Sequence, residues 1–258
     1  MPQLLLRGEP LGVVKGILFD KDGTLVNSEK RLNRLGKMRI NQAVRLYQSQ
    51  KKPLEKILEL SKFLNLIYGI NSQGIDPTSS LAIASRKDNL ISTATIFSLI
   101  GETWPNSLQF ANQIFKSADK AINEIFSEDY SDQILPGVLE ILQILKRKNI
   151  SLALISNDTK TGLIAFLKKN KLEKTFTGLW SSDDLPKKPN PLAVSNLCKT
   201  LKLEAQECAL VGDADTDLFM AKQSKVKIVL GYTAGWSQKP LLYEYDHLIH
   251  HWDELNIQ

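Results

Sequence analysis

The sequence predicts an α/β fold: a parallel sheet wrapped by helices, interrupted near its start by an all-helical insert. Three observations predict it. After residue 134, short apolar, β-branched runs alternate with amphipathic helical stretches, the pattern of parallel strands joined by right-handed crossovers. A run of the same strand-like kind stands far upstream at 13–19. Between about 28 and 130 only helical spacing is visible.

The run at 13–19 (VVKGILF) reads as a buried strand, and Asp20-Lys21-Asp22-Gly23 follows at its end. In the insert, Leu54, Ile57, Leu58, Leu64 and Ile67 recur at helical spacing after Pro53, which suits a first turn. Residues 81–100 read as mostly helical. Phe110, Ile114, Ala118, Ala121, Ile122 and Ile125 form a further apolar stripe, and no strand is expected in this span. Leu135-Pro136-Gly137 marks the return to the core. A helix is expected at 138–148, ended by Asn149, then a strand at 150–155 and a helix at 159–170. A weak strand at 177–180 precedes a helix at 191–201. The strand at 208–211 stops at Gly212-Asp213, and strands at 227–230 and 247–249 close the series. The predicted domains are a Rossmann-like core of 1–27 plus 134–258 and an all-helical domain of 28–133.

Hydrophobic residues make up 43% and charged residues 24% of the 258, as in a soluble globular protein. No apolar run approaches the roughly 18 residues that a membrane span needs. Leu4-Leu5-Leu6 is too short for the core of a signal peptide. A cytoplasmic protein with no membrane partner is expected. Cys198 and Cys208 are too few for a disulfide framework and read as buried free thiols. His247, His250 and His251 all lie in the last twelve residues, which argues against a histidine-based triad or metal site.

In an open parallel sheet, ligands bind beyond the carboxyl ends of the strands. Three predicted strand ends carry polar chemistry: Asp20 and Asp22, then Ser156 and Asn157, then Asp213, Asp215 and Asp217. Lys188 precedes a helix in Lys188-Pro189-Asn190-Pro191. Converging carboxylates repel unless a cation sits among them, and magnesium suits few carboxylates plus a substrate phosphate. Each piece alone has an ordinary reading. Asp22-Gly23 reads equally as a turn, and Ser156-Asn157-Asp158 as a helix cap. The run from Asp213 to Asp217 also looks like a calcium loop, but such a loop needs Gly sixth and Glu twelfth. Leu218 and Ser224 stand there instead.

Together these segments resemble the haloacid dehalogenase superfamily. FDKDGTL at 19–25 looks like its first motif, and Leu154-Ile155-Ser156-Asn157 its second. Lys188-Pro189-Asn190-Pro191 looks like the third, and VGDADTD at 211–217 the fourth, all in the family's order. The insert is similar in position and helicity to the cap of the phosphoglycolate phosphatase and β-phosphoglucomutase branch. The resemblance implies a phosphatase acting on a small phosphorylated metabolite through an aspartyl-phosphate, with a phosphomutase as the alternative in the same fold. It implies Asp20 as nucleophile and Asp22 as general acid and base, since dehalogenases carry a non-acid at that position and ion pumps a Thr. Mg2+ would be held by Asp20, the Asp22 carbonyl and Asp213, with Asp217 acting close by. Ser156, Asn157 and Lys188 would bind the phosphoryl group, with Lys187 replacing Lys188 if the register shifts by one. Asp215 has no implied role and reads as solvated. Arg86 and Lys87 read as an exposed helix face or as contacts for a substrate anion. The segment 231–236 (GYTAGW) reads as a loop bordering the site or as packing.

The formal charge of +5 is unevenly spread. Residues 28–66 hold ten basic and three acidic side chains, a net of +7, which leaves the rest at −2. Such a run is ordinarily a solvated face; it also suits a field that draws in a small anion, or a platform for nucleic acid or a protein partner. The insert lacks a nucleic-acid motif or a stacked aromatic set. Titration against a mixed-sequence duplex and single strand should therefore give no complex tighter than about 10⁻⁶ M at physiological salt, the range of non-specific binding. A tighter complex with a steep salt dependence would make the insert a nucleic-acid platform.

Overall fold

Elements form where side-chain periodicity and turn chemistry agree. A computed structural model describes residues 2–124 and 133–258, with side chains for 2–121 and 133–258. The chain opens with β1 (Gln3–Leu6), β2 (Glu9–Val13), β3 (Gly16–Phe19) and β4 (Val26–Asn27). The helical stretch follows as α1 (Glu29–Ser49), α2 (Leu54–Tyr68), the short pair β5 (Ile70–Asn71) and β6 (Gly74–Ile75), α3 (Ser80–Ile83), α4 (Arg86–Leu99) and α5 (Trp104–Glu124). The remainder runs β7 (Gln133–Ile134), α6 (Val138–Arg147), β8 (Ser151–Ile155), α7 (Lys160–Lys169), β9 (Gly178–Trp180), α8 (Pro191–Thr200) and β10 (Cys208–Gly212). It ends with α9 (Asp215–Gln223), β11 (Ile228–Tyr232), β12 (His247–Ile249) and β13 (Leu255–Ile257).

Two compact units result: Met1–Asn27 with Gln133–Gln258, and Ser28–Asp132. Among the described residues no helix is long and apolar enough to cross a membrane.

The first unit is built on a six-stranded sheet of order β12-β11-β10-β3-β8-β9, parallel throughout. Both faces are buried along its inner strands β11, β10, β3 and β8, which are almost wholly apolar. Ile17 and Phe19 join one core with Leu142, Leu145 and Leu163. Leu18 points the other way, into a second core with Val194, Leu197 and Leu218. The strand order reverses at β3, with β8 on one side and β10 on the other. That switch point opens a crevice at the carboxyl ends of the strands. Helix starts here are locally encoded: Thr159 accepts from Gly162 N–H at the head of α7, and Asn190 from Leu192 N–H at the head of α8.

Trp252 ties the first motif to the core. It is fully buried, stacks on Tyr232 at 4.9 Å and leans on Phe19 at 5.9 Å. Its indole N–H donates to the Thr24 carbonyl at 3.1 Å.

The parallel-sheet expectation holds, and several boundaries differ. Val13 does not extend β3; it ends β2, which lies in a three-stranded sheet of order β13-β1-β2. Pro10 and Gly12 inside β2 broke the strand signal. The insert holds a hairpin, β5 with β6, where no strand was expected. Its turn is held by Asn71 accepting from Gln73 N–H, a local device that periodicity does not reveal. The helical stretch at 81–100 breaks at Ala84-Ser85, where Ser85 caps α4.

The second unit packs Tyr47, Phe97 and Phe110 as a ring cluster, and Ile114 and Ala118 of the α5 stripe are buried. The Ile122 side chain and Ile125 lie outside the described residues. The basic run is not one solvated face. Arg39 is buried with its guanidinium 3.7 Å over the Phe115 ring, and Lys52 pairs with Glu102 at 2.6 Å. Arg86 is exposed but paired with Asp119 at 2.5 Å, and Lys87 is exposed.

Trp252→Ala should destabilise the protein by about 3–5 kcal/mol, the usual cost of a truncated core aromatic, with urea unfolding as the measurement. A loss under 1 kcal/mol would show that the Trp252 contacts are dispensable.

Candidate active site

The register of β3 brings the acidic strand ends together. Phe19 lies opposite Val211 on one side and Leu154 on the other. One step further along these three strands stand Asp20, Gly212-Asp213 and Ile155-Ser156. Asp20 N–H donates to the Val211 carbonyl at 2.9 Å, continuing the ladder, and Ser156 N–H donates to the Trp180 carbonyl at 2.9 Å. Asp217 reaches the same point from the first turn of α9.

Carboxylate oxygens of Asp20, Asp213 and Asp217 all lie within 4.8 Å of one another, and all three residues are buried. One ammonium faces two of them. Lys188 Nζ lies 2.6 Å from Asp20 Oδ1 and 2.9 Å from Asp217 Oδ1, and it also donates to the Ile155 carbonyl at 3.2 Å. The neighbouring Lys187 is exposed, and it is Lys188 that meets the carboxylates.

Burial and crowding dominate the electrostatics. Burial pushes the Asp20 carboxyl well above the usual carboxylate range; Lys188 opposes this, and Asp217 and Asp213 add to it. Burial likewise pushes Asp213 up to about 7, against hydrogen bonds from Trp236 and Thr24. Burial alone would lower Lys188, but Asp20 and Asp217 outweigh it and hold its pKa above the ordinary lysine value, so it stays charged. Three buried carboxyl groups beside one ammonium cannot all ionise without a further positive charge. Hard oxygen donors in that arrangement fit a hard divalent cation.

Asp22 stands apart from this cluster. Lys21, also buried, pairs with Asp22 Oδ2 at 3.2 Å and with Asp158 Oδ2 at 2.5 Å. Ser156 is buried, and its Oγ accepts from Asp158 N–H at 3.1 Å. Asn157 follows it, partly exposed. Asp215 is not simply solvated: its Oδ1 accepts from Tyr243 and Glu244 N–H at 2.7 and 2.9 Å and ties down the loop before β12.

Sequence reasoning gave no role to Thr24 or Trp236. Thr24 Oγ1 donates to Asp213 Oδ1 at 2.7 Å, and Trp236 Nε1 donates to Asp213 Oδ2 at 2.6 Å. The loop at 231–236 thus borders the candidate site. Gly23, at φ +79°, allows this convergence, since a Cβ there would strike the Asp213 carboxylate and the Trp236 indole. No sequence signal links Trp236 to Asp213, because the two meet only when the loop folds back over the first motif.

A family model described as haloacid dehalogenase-like hydrolase matches residues 14–225. Phosphoglycolate phosphatase 1 of Pseudomonas aeruginosa is 32% identical over 120 residues, 43% of this chain and 44% of that protein. A phosphoglycolate phosphatase of Pseudomonas fluorescens is 30% identical over 146 residues, 53% of each chain. The chain thus spans about half the length of these curated relatives. Among solved structures, a predicted phosphoglycolate phosphatase from Haemophilus somnus superposes with a TM-score of 0.63 at 22% identity, covering 93% of this chain and 95% of that one. A haloacid dehalogenase-like family hydrolase from Streptococcus pneumoniae gives 0.58 at 17% identity, covering 93% and 96%. At these identities the likeness is one of fold.

A cation bound at this acidic cluster should raise the unfolding temperature. At a hundred times its Kd, a bound ion would stabilise the folded state by about 2.7 kcal/mol. Without metal, Asp20 and Asp213 have folded-state pKa values above their unfolded ones. Their contribution to stability is therefore full below pH ~4 and is lost as pH rises through the folded-state values, about 7 for Asp213. The rise in melting temperature on adding MgCl2 should thus be larger at pH 8 than at pH 5, where protons compete for the ligands. Asp213→Ala should abolish it; an undiminished rise in that variant would remove Asp213 from the ligand set.

Proposed function

The chain belongs to the haloacid dehalogenase-like hydrolase family, and on that premise we propose that it is a Mg2+-dependent phosphatase hydrolysing a small phosphorylated metabolite through an aspartyl-phosphate. The observation that carries this reading is Asp20 at the end of the central strand, 2.6 Å from Lys188 and within a cluster of three buried carboxylates.

Asp20 is the nucleophile: its carboxylate attacks phosphorus in line and the ester oxygen leaves. Lys188 holds that carboxylate in place and offsets phosphate charge. Ser156 and the backbone N–H groups near Asp22 and Asn157 donate to the phosphoryl oxygens. Asp22 gives a proton to the departing alkoxide and later takes one from the water that hydrolyses the intermediate. Its partner Lys21 keeps it clear of the buried cluster. Asp20, Asp213 and the Asp22 carbonyl would hold Mg2+, with Asp217 adjacent. When bound, the ion supplies positive charge that lets an anionic nucleophile meet an anionic phosphate. The unit Ser28–Asp132 is read as the cap that selects the leaving group.

The matched curated relatives make 2-phosphoglycolate the first substrate to test. The deciding experiment is a screen of phosphorylated metabolites with MgCl2, measuring both inorganic phosphate and phosphate transfer. Free phosphate supports a phosphatase, and isomerised sugar phosphate supports the mutase.

EDTA should abolish turnover of an aryl phosphate, Mg2+ should restore it, and Ca2+ should restore it poorly because its coordination is looser and higher. Asp20→Asn should remove all measurable turnover. Asp22→Asn should slow it by roughly a hundredfold or more, the usual size of a lost general acid–base. Wild-type turnover by Asp20→Asn would rule out the covalent route.

A further inference from the structure

Buried tryptophans normally direct the indole N–H to a hydrogen-bond acceptor. Trp236 is buried and directs its N–H, at 2.6 Å, onto a carboxylate of the candidate metal cluster. An indole nitrogen is a donor only and cannot itself ligate a cation. What it can do is fix the group that does.

We propose that Trp236 is a positioning residue for the divalent-cation site, holding the Asp213 carboxylate in its ligating orientation from the loop that follows β11. The inference rests on the cation-site reading given above and extends it to a residue outside the family motifs.

The geometry carries the argument in three steps. First, Asp213 is gripped at both oxygens, Oδ1 by Thr24 at 2.7 Å and Oδ2 by Trp236 at 2.6 Å. Two donors on different oxygens fix rotation about the Cβ–Cγ bond, which a single donor does not. Each carboxylate oxygen has two lone-pair directions, so each keeps one for a cation. Second, the donors come from two separate segments, and the backbone locks these together. At Gly235 a Cβ would collide with the Gly23 carbonyl, so the two segments touch directly. Thr233 Oγ1 pairs with His250 Nδ1 at 2.7 Å, and Thr233 N–H donates to the Ile249 carbonyl at 3.0 Å, anchoring the start of the loop to β12. Third, an N–H to an ionised carboxylate is a charge-assisted bond. It steadies Asp213 beside Asp20 and Asp217, where mutual repulsion would otherwise turn it away. Partners that orient metal ligands in this manner are worth roughly 10–100-fold in metal affinity when removed.

The test uses this chain stripped of metal, with Mg2+ alone as the probe. Calorimetric titration should give Trp236→Phe, which keeps an aromatic ring and removes the donor, a Kd for Mg2+ about tenfold or more above wild type. Thr24→Val, which removes the other donor, should weaken binding in the same direction. A second readout needs no variant to fold well. The chain has four tryptophans, Trp104, Trp180, Trp236 and Trp252, each giving one indole N–H signal in a ¹H–¹⁵N spectrum. The Trp236 signal should shift as Mg2+ is added and saturate with the calorimetric Kd. If Trp236 only packs the loop, Trp236→Phe will lower the melting temperature but bind Mg2+ as wild type does, and the Trp236 indole signal will stay in place; that overturns the proposal. Failure of the wild-type protein to bind Mg2+ would instead overturn the cation-site reading on which it rests.

Discussion

Three carboxylates share a buried pocket with a single ammonium, and much of the core is arranged to hold them there. Charges of like sign a few ångströms apart in a poorly solvated site repel strongly. Asp20, Asp213 and Asp217 nevertheless converge with oxygens inside 4.8 Å. Lys188 bridges two of them, and hydrogen-bond donors from Thr24 and Trp236 hold the third. Burial is the main reason that Asp20 and Asp213 are displaced upward, and the neighbouring carboxylates add to it. Crowded, buried acids of this kind are a common trait of functional sites, and their oxygens lie close enough together to hold a metal ion.

Holding such a cluster calls for rigid supports, and the fold supplies them from several directions. Asp20 continues the hydrogen-bond ladder of the central strand, Asp217 sits in the first turn of a helix, and Lys188 precedes another. The turn at 20–26 is closed by the Lys21 carbonyl, which accepts from the Leu25 and Val26 N–H groups at 2.9 and 3.1 Å. Trp252 clamps the same turn from below through the Thr24 carbonyl, and its ring belongs to the main core. Site geometry and core packing are therefore coupled through this one segment.

Two kinds of acid coexist a few residues apart. Asp20 is buried against Lys188, whereas Asp22 pairs with Lys21 at the edge of the cluster and keeps about a fifth of its side chain exposed. Under the mechanism we propose, a nucleophile gains from a fixed, shielded setting. A group that passes protons to and from solvent gains from access to it. The same separation explains why Lys21, two residues before a glycine turn, is itself fully enclosed: its charge is matched by Asp22 and Asp158 together.

The sequence by itself determined the α/β class, the alternation of strands and helices, and the residues at the strand ends. Those follow from period, turn chemistry and motif order, all of which are local or nearly so. Asp20 and Asp213 were legible for that reason, since a parallel sheet must deliver its strand ends to one edge; Asp217, in the first turn of α9, and Lys188, just before α8, were legible from motif order. What the tertiary structure decided depends on contacts between distant segments. Trp236 and Thr24 meet on Asp213 only because the glycines at 23 and 235 let two loops touch. Lys21 finds Asp158 across 137 positions, and Asp215 finds the loop before β12. The N-terminal sheet, with β13 returning to β1, escaped notice because its strands are short and one carries a proline and a glycine. Pairing between the two ends of a chain leaves no mark in local periodicity; it is set by which edges remain unpaired once the core has packed.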